Sequence, residues 1–177
     1  MNFAFVSGSV ALDFVGTVQA RRDAPLDLLT TSADLSAWCA ASGVLDDPPT
    51  ATHTDLEAAV DLREAVYRLF LASASGSPYV PEDCAVVNLA AAPNPARVEL
   101  LPDGAVKRHG EVDAALSVVA RDAVELLLQS AHPVKECSAP RCTRLYVDRS
   151  HRGSRRWCDM TRCGNRAKAA MYRARHA

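Results

Sequence analysis

Cys137, Cys142, Cys158 and Cys163 gather in one short C-terminal segment, and no other feature constrains the fold as tightly. Four residues separate the members of each pair, and fifteen separate the pairs. Each short spacing lets two thiolates turn onto one ion, and the longer gap suits a β-hairpin that returns one pair to the other. Four sulfurs complete a closed tetrahedral Zn²⁺ shell at about 2.3 Å, with iron the competing ion for the same thiolates. The surrounding segment has few large apolar side chains, so bound metal would supply the folding energy that a small core cannot. "TRLYVD" and "RRWC" read as two strands joined by the turn "RSHRGS" around Gly153, and Cys163 heads a helix, "GNRAKAAMYRARHA". This is a treble-clef-like plan. Four thiolates leave no coordination position open for catalysis, so one structural Zn²⁺ and no enzymatic activity are expected. His151 falls at the hairpin tip and reads as solvated or phosphate-facing.

The net charge of −1 conceals two opposed parts. Residues 137–177 carry eleven basic side chains against Asp148 and Asp159, a formal +9, whereas residues 1–136 carry −10. Such asymmetry points the basic part at nucleic acid or another polyanion. Arg149, Arg152, Arg155 and Arg156 crowd the turn, and Arg166, Lys168, Arg173 and Arg175 line the terminal helix. Guanidinium groups suit phosphate contacts and bidentate contacts to base edges. Tyr146, Trp157 and Tyr172 are interleaved with them, and Trp157, beside Cys158, reads as the finger's miniature core. The opposing reading is that the basic finger docks on the acidic body and is masked by it.

The acidic part reads as mostly helical. "TSADLSAWCAASG" is capped by Thr31 or Ser32 and stopped by Gly43. "THTDLEAAVDLREAVYRLFLASASG" is the strongest helix, with Thr54 and Glu57 as a capping box and Leu56, Val60, Leu62, Val66, Leu69 and Phe70 on its apolar side. Pro81 opens a helix to about Ala92. "EVDAALSVVARDAVELLLQSA" places Val112, Leu116, Val119, Val124 and Leu127 at helical spacing. "RVELLPDGAVKRH" predicts a hairpin turning at Asp103-Gly104. The opening "FAFVSGSVALDFVGTV" fits either a strand pair turning at Gly8 or a buried helix. The expected fold class is therefore α+β and mainly helical: a helical domain with a small hairpin over 1–133, then the finger over 134–177, divided near His132-Pro133.

In this helical part Asp13, Arg21 and Arg22 are candidates to line a small-molecule pocket, although Asp13 better suits a helix cap or an arginine partner. Cys39 and Cys84 read as buried small residues. The start of the chain lacks a basic n-region and no apolar run reaches the roughly 18 residues of a membrane span, so a cytoplasmic address without a membrane partner is expected.

The tetrapeptide Cys163-Gly164-Asn165-Arg166, within "VDRSHRGSRRWCDMTRCGNRAKA", closely resembles the CGNR zinc-finger family. "VALDFVGTV", "DLLTTSADLSAWCAASGVL" and "DLREAVYRLF" are similar to the ABATE domain that precedes the finger in that family. The resemblance implies a bacterial, stress-responsive transcription regulator whose finger binds DNA, with Cys137, Cys142, Cys158 and Cys163 as zinc ligands. It departs at one point, where the family's usual "LDFVNT" stands as "LDFVGT" with Gly16. The expected partner is DNA, with a small-molecule effector acting on the N-terminal domain. RNA binding, or a ligand- or protein-interaction module with a masked finger, are the alternatives. A dimer is compatible with any of these.

Overall fold

The computed structural model describes residues 3–129 and 133–176. After extended residues and Gly8 (φ 82°) the chain forms α1 (Val10–Val15), which settles the ambiguous opening as a short buried helix. Ser9 caps it. Two short paired strands follow, β1 (Val18–Gln19) and β2 (Leu26–Asp27). Next come α2 (Ser32–Ala41), α3 (His53–Ser75) and α4 (Pro81–Ala91). The hairpin β3 (Arg97–Leu100) and β4 (Val106–His109) leads into α5 (Val112–Leu128). Asp103-Gly104 makes its turn as the sequence predicts, with Gly104 at φ 85°.

The helix α3 starts earlier than expected. Its capping box is Thr52 with Asp55, not Thr54 with Glu57. The Asp55 carboxylate accepts from Thr52 N at 2.8 Å, and the Thr52 hydroxyl oxygen accepts from Asp55 N at 3.2 Å. These bonds satisfy amide groups that the later start would leave unpaired. On α5 the buried residues toward the C-terminal end are Ala120, Ala123 and Leu126, while Val124 is exposed. The helix α5 ends at Leu128, short of the expected stretch, and His132 of the expected boundary lies outside the described residues.

The core joins α1, α2, α3 and α5, with α4 packed on α3 and α5. Phe14 and Trp38, both fully buried, tilt against each other at 4.7 Å between ring centroids. One buried charge crosses this core's edge. Arg63 on α3 is 2% exposed and donates to both oxygens of Asp27, at 2.7 and 2.8 Å, and to Glu64 at 2.9 Å. Arg21 also pairs with Glu64, at 2.5 Å, and lies 4.1 Å over the Tyr67 ring. A guanidinium this deep is tolerated because carboxylates answer its donors. The network pins residues 17–29 to α3, and that segment in turn meets the C-terminal part.

Beyond α5 the strands β5 (Val134–Glu136) and β6 (Leu145–Val147) pair antiparallel, and α6 (Asn165–His176) ends the chain. This corrects the expected strand pairing. β6 pairs with β5 across the first cysteine pair, and "RRWC" forms no strand. The backbone of "RRWC" is satisfied by isolated bonds instead, with Ser138 N donating to Arg156 O at 2.9 Å and Tyr146 Oη to Arg155 O at 2.7 Å. Leu145 and Val147 belong to the main core, and Val147 N donates to Ser7 O at 2.8 Å.

Candidate metal centre and basic surface

The metal centre grows from three local structures. Cys137 leaves β5 and Cys142 closes a tight turn in which Cys142 N donates to Ala139 O at 3.0 Å. Arg141 takes φ 64° there, the left-handed region that costs most residues about 1 kcal/mol and glycine almost nothing. Cys158 precedes a π-helical turn, Met160–Gly164, that carries Cys163 to the head of α6. Asp159 caps that turn by accepting from Thr161 N at 2.9 Å.

The four sulfurs lie within 4.8 Å of one another, with Cys142–Cys158 at 3.8 Å and Cys158–Cys163 at 3.6 Å. A tetrahedral Zn²⁺ with bonds of about 2.3 Å requires sulfur–sulfur edges of about 3.8 Å, so the donor set fits the ion. As thiols Cys137, Cys158 and Cys163 are in conflict. Hydrogen bonds from Cys142 and Cys158 hold the Cys137 thiol down at about 2. The same contacts push Cys158 far up, and burial lifts Cys163 to about 12. A divalent cation resolves the conflict by taking all four as thiolates. The cluster is compact, consistent with a single structural Zn²⁺ in a treble-clef-like frame.

Aromatic and glycine packing closes the finger. Tyr146 is fully buried, so it is no stacking platform. Trp157 packs partly buried against the cysteines, as the sequence predicts. A Cβ on Gly164 would meet Met160 Sδ at 2.8 Å and Trp157 Cδ1 at 3.3 Å, so the glycine lets these side chains close over the ligand turn. Asp148 is buried and held by Lys135 Nζ at 2.7 Å, Ser150 N at 2.9 Å and Ser150 Oγ at 2.6 Å. Burial alone would raise its carboxyl, but these donors outweigh that and hold it well below the usual carboxylate range.

The finger's arginines divide into two groups. Arg144 points inward, its side chain 9% exposed, donating to Ala4 O and Gly16 O at 3.0 Å each and lying 3.6 Å from Asp13. A Cβ on Gly16 would stand 2.2 Å from Arg144 Nη1, so glycine in "LDFVGT" makes the room this guanidinium occupies. Arg149 donates to Gly8 O at 3.0 Å. Arg155, expected on the binding surface, points inward instead. It donates to Trp157 O at 2.8 Å, to Cys158 O and to Val6 O at 3.2 Å, and stacks 4.5 Å over Tyr146. It therefore braces the second ligand pair against the body. Arg166, at the head of α6 directly after the last ligand turn, is exposed and donates to no ligand carbonyl or sulfur among the described residues. Sequence spacing could not separate these two, because only the finger's docking pose decides which side meets carbonyls.

The outward group is Arg152, Arg156, Arg162, Arg166, Lys168, Arg173 and Arg175, all exposed. None pairs with a carboxylate among the described residues. Arg156 lies 5.1 Å over Trp157, and α6 buries no residue. Arg162 was absent from the expected surface, although its place one turn before Arg166 marks it. Arg162 and Arg166 also border a cleft of about 330 Å³ between finger and body, beside Cys142 and Cys163. His151 is exposed and not part of the sulfur cluster.

Asp13, Arg21 and Arg22 are not brought to one pocket. The Asp13 carboxylate accepts from Val6 N at 3.0 Å and Ser7 N at 2.9 Å and lies 3.6 Å from Arg144, the arginine pairing that was the alternative to ligand binding, whereas the cap of α1 is Ser9. Arg21 is engaged by Glu64, and Arg22 by Glu136 on β5. Burial pushes the Cys39 thiol up to about 12, which keeps it protonated. Among the described residues no helix is long and apolar enough to cross a membrane.

Two family models match this architecture. Residues 8–130 match ABATE, described as "Putative stress-induced transcription regulator", and residues 134–176 match the CGNR zinc finger. No curated protein matches the chain.

Proposed function

Because the chain belongs to the family that joins an ABATE domain to a CGNR zinc finger, we propose that it is a zinc-dependent, DNA-binding transcriptional regulator. Residues 1–133 act as the sensor-like domain and residues 134–177 as the finger. The observation that carries the reading is the outward group of seven cations without carboxylate partners among the described residues, four of them on a helix with no buried side chain. Unpaired guanidinium groups on a free helix are available to phosphates and base edges. The same observation weighs against masking, since the body answers Arg141, Arg144, Arg149 and Arg155 and leaves the rest free.

Signals from the sensor-like domain would reach the finger through that inward group. Arg144, Arg149 and Arg155 hold carbonyls of residues 4–8 and 16, so displacement of the opening segment would loosen Cys158 directly. Titration of labelled duplex DNA and RNA at several salt concentrations tests the binding reading. Duplex DNA should bind with a logarithmic affinity that falls linearly with the logarithm of salt. Absence of duplex binding at low salt, or tighter binding to RNA, would overturn it.

A further inference from the structure

The ribbon β3–β4 stands off the body with one apolar face bare. Val98 is 66% exposed, Leu100 75% and Val106 41%. Register puts Val98 opposite Arg108 and Leu100 opposite Val106, so these side chains share a face. Arg97, Glu99, Lys107 and His109 occupy the other. An isolated two-stranded ribbon is marginal in water, and a bare strand edge invites pairing.

The two edges differ. Leu101 N donates to Ala105 O at 2.8 Å, which makes 99/107 and 97/109 the hydrogen-bonded pairs and turns the backbone of Val98, Leu100 and Arg108 outward. On β4 that outward backbone is already covered: Asp46 N donates to Arg108 O at 3.1 Å, and Arg108 N donates to the Asp46 carboxylate at 2.5 Å. On β3 the amides and carbonyls of Val98 and Leu100 have no partner among the described residues.

We propose that β3 is the dimerisation edge, pairing antiparallel with β3 of a second copy about a two-fold axis through Val98. Charge selects both occupant and register. Outward residues must face outward residues, which allows centres at Arg97, Val98, Glu99 or Leu100, and a centre at Arg97 opposes two identical guanidinium groups. A centre at Glu99 opposes two identical carboxylates. A centre at Leu100 sets Val98 against Pro102, which has no N–H, and scarcely overlaps the strands. A centre at Val98 sets Arg97 opposite Glu99 of the other copy, twice by symmetry. The product is a four-stranded sheet in which the Val98 side chains adjoin and the six exposed apolar residues form one surface. β4 would instead bring Lys107 and Arg108 toward their own copies.

The zinc-loaded full-length chain should sediment as a dimer at micromolar concentration. Glu99→Arg opposes two arginines and Arg97→Glu opposes two glutamates, so each alone should weaken dimerisation by roughly tenfold or more. Mixed in equal amounts, the two variants place arginine against glutamate at both positions and should form a heterodimer. Glu99→Gln, which removes charge without creating a clash, should weaken the dimer by a smaller factor. Both reversed positions are exposed, and the contacts they lose within the chain, Glu99 with His109 at 3.1 Å and with Arg97 at 3.5 Å, are surface pairs worth little, so each variant should keep its zinc content and nearly its melting temperature. A monomeric parent chain, reversals that dimerise as tightly as the parent, or a mixture that stays monomeric would overturn the proposal.

Discussion

Arg155 and Arg156 are neighbours with opposite duties. Arg155 joins carbonyls of Trp157, Cys158 and Val6, while Arg156 lies outside over Trp157. Arg155→Ala should therefore loosen zinc retention and destabilise the finger, by about 1–3 kcal/mol for the carbonyls left unpaired. Arg156→Ala should keep zinc stoichiometry and lower DNA affinity, with a salt slope shallower by about one unit for each phosphate no longer neutralised. Arg166→Ala should behave like Arg156→Ala. Competition for zinc by a chelator, run beside DNA titration, separates the two classes. At Gly16 an added methyl group collides with the Arg144 guanidinium. Gly16→Ala should cost about 1–3 kcal/mol by expelling a side chain that three partners hold, and a denaturant melt would read it.

Among the elements, β6 is shared between two structures. Its Leu145 and Val147 fill the main core, whereas Tyr146 faces the cysteine cluster. The alternation of a strand delivers successive residues to opposite faces, so three residues serve both. Metal removal should accordingly release residues 158–176 first, because Cys158 and Cys163 are the anchors of the π turn and α6, and α6 buries no side chain. The β5–β6 pairing should persist on the body. Hydrogen exchange after chelation checks this, and equal deprotection of β6 and α6 would contradict it.

For the molecule as a whole, the finger is docked rather than tethered. Asp13, Asp23 and Glu136 join body and finger through Arg144, Arg141 and Arg22. A fragment of residues 134–177 should thus bind zinc more weakly than the full chain, since it exposes Leu145 and Val147, each worth about 2 kcal/mol of burial. Acid acts on the whole assembly through the buried pair of Asp148 and Lys135. The folded carboxyl lies below its unfolded value, so the unfolded state binds the proton more readily and the contribution is present above about pH 4. It is lost as pH falls through the folded value. Asp148→Asn should lower stability near neutrality by about 1–3 kcal/mol, reduced by the partial exposure of Lys135. Melting curves of parent and variant should converge as pH falls below about 4.

Sequence by itself determined the four ligands, the helical body and the hairpin turning at Gly104. Each rests on local chemistry: thiolate spacing, capping residues, periodicity and a turn residue with left-handed φ. Even there, two overlapping capping boxes before α3 could not be ranked without knowing where Asp55 points. The partner of β6 depended on which loop closes, and the fate of each arginine depended on what lay opposite it. Eight cations read alike in the sequence because all are long, charged and set in one segment. Tertiary structure alone sorted them, since a guanidinium becomes a brace only where carbonyls of residues 4–8 and 16 come within reach. That proximity spans more than a hundred residues of chain, which no local pattern encodes.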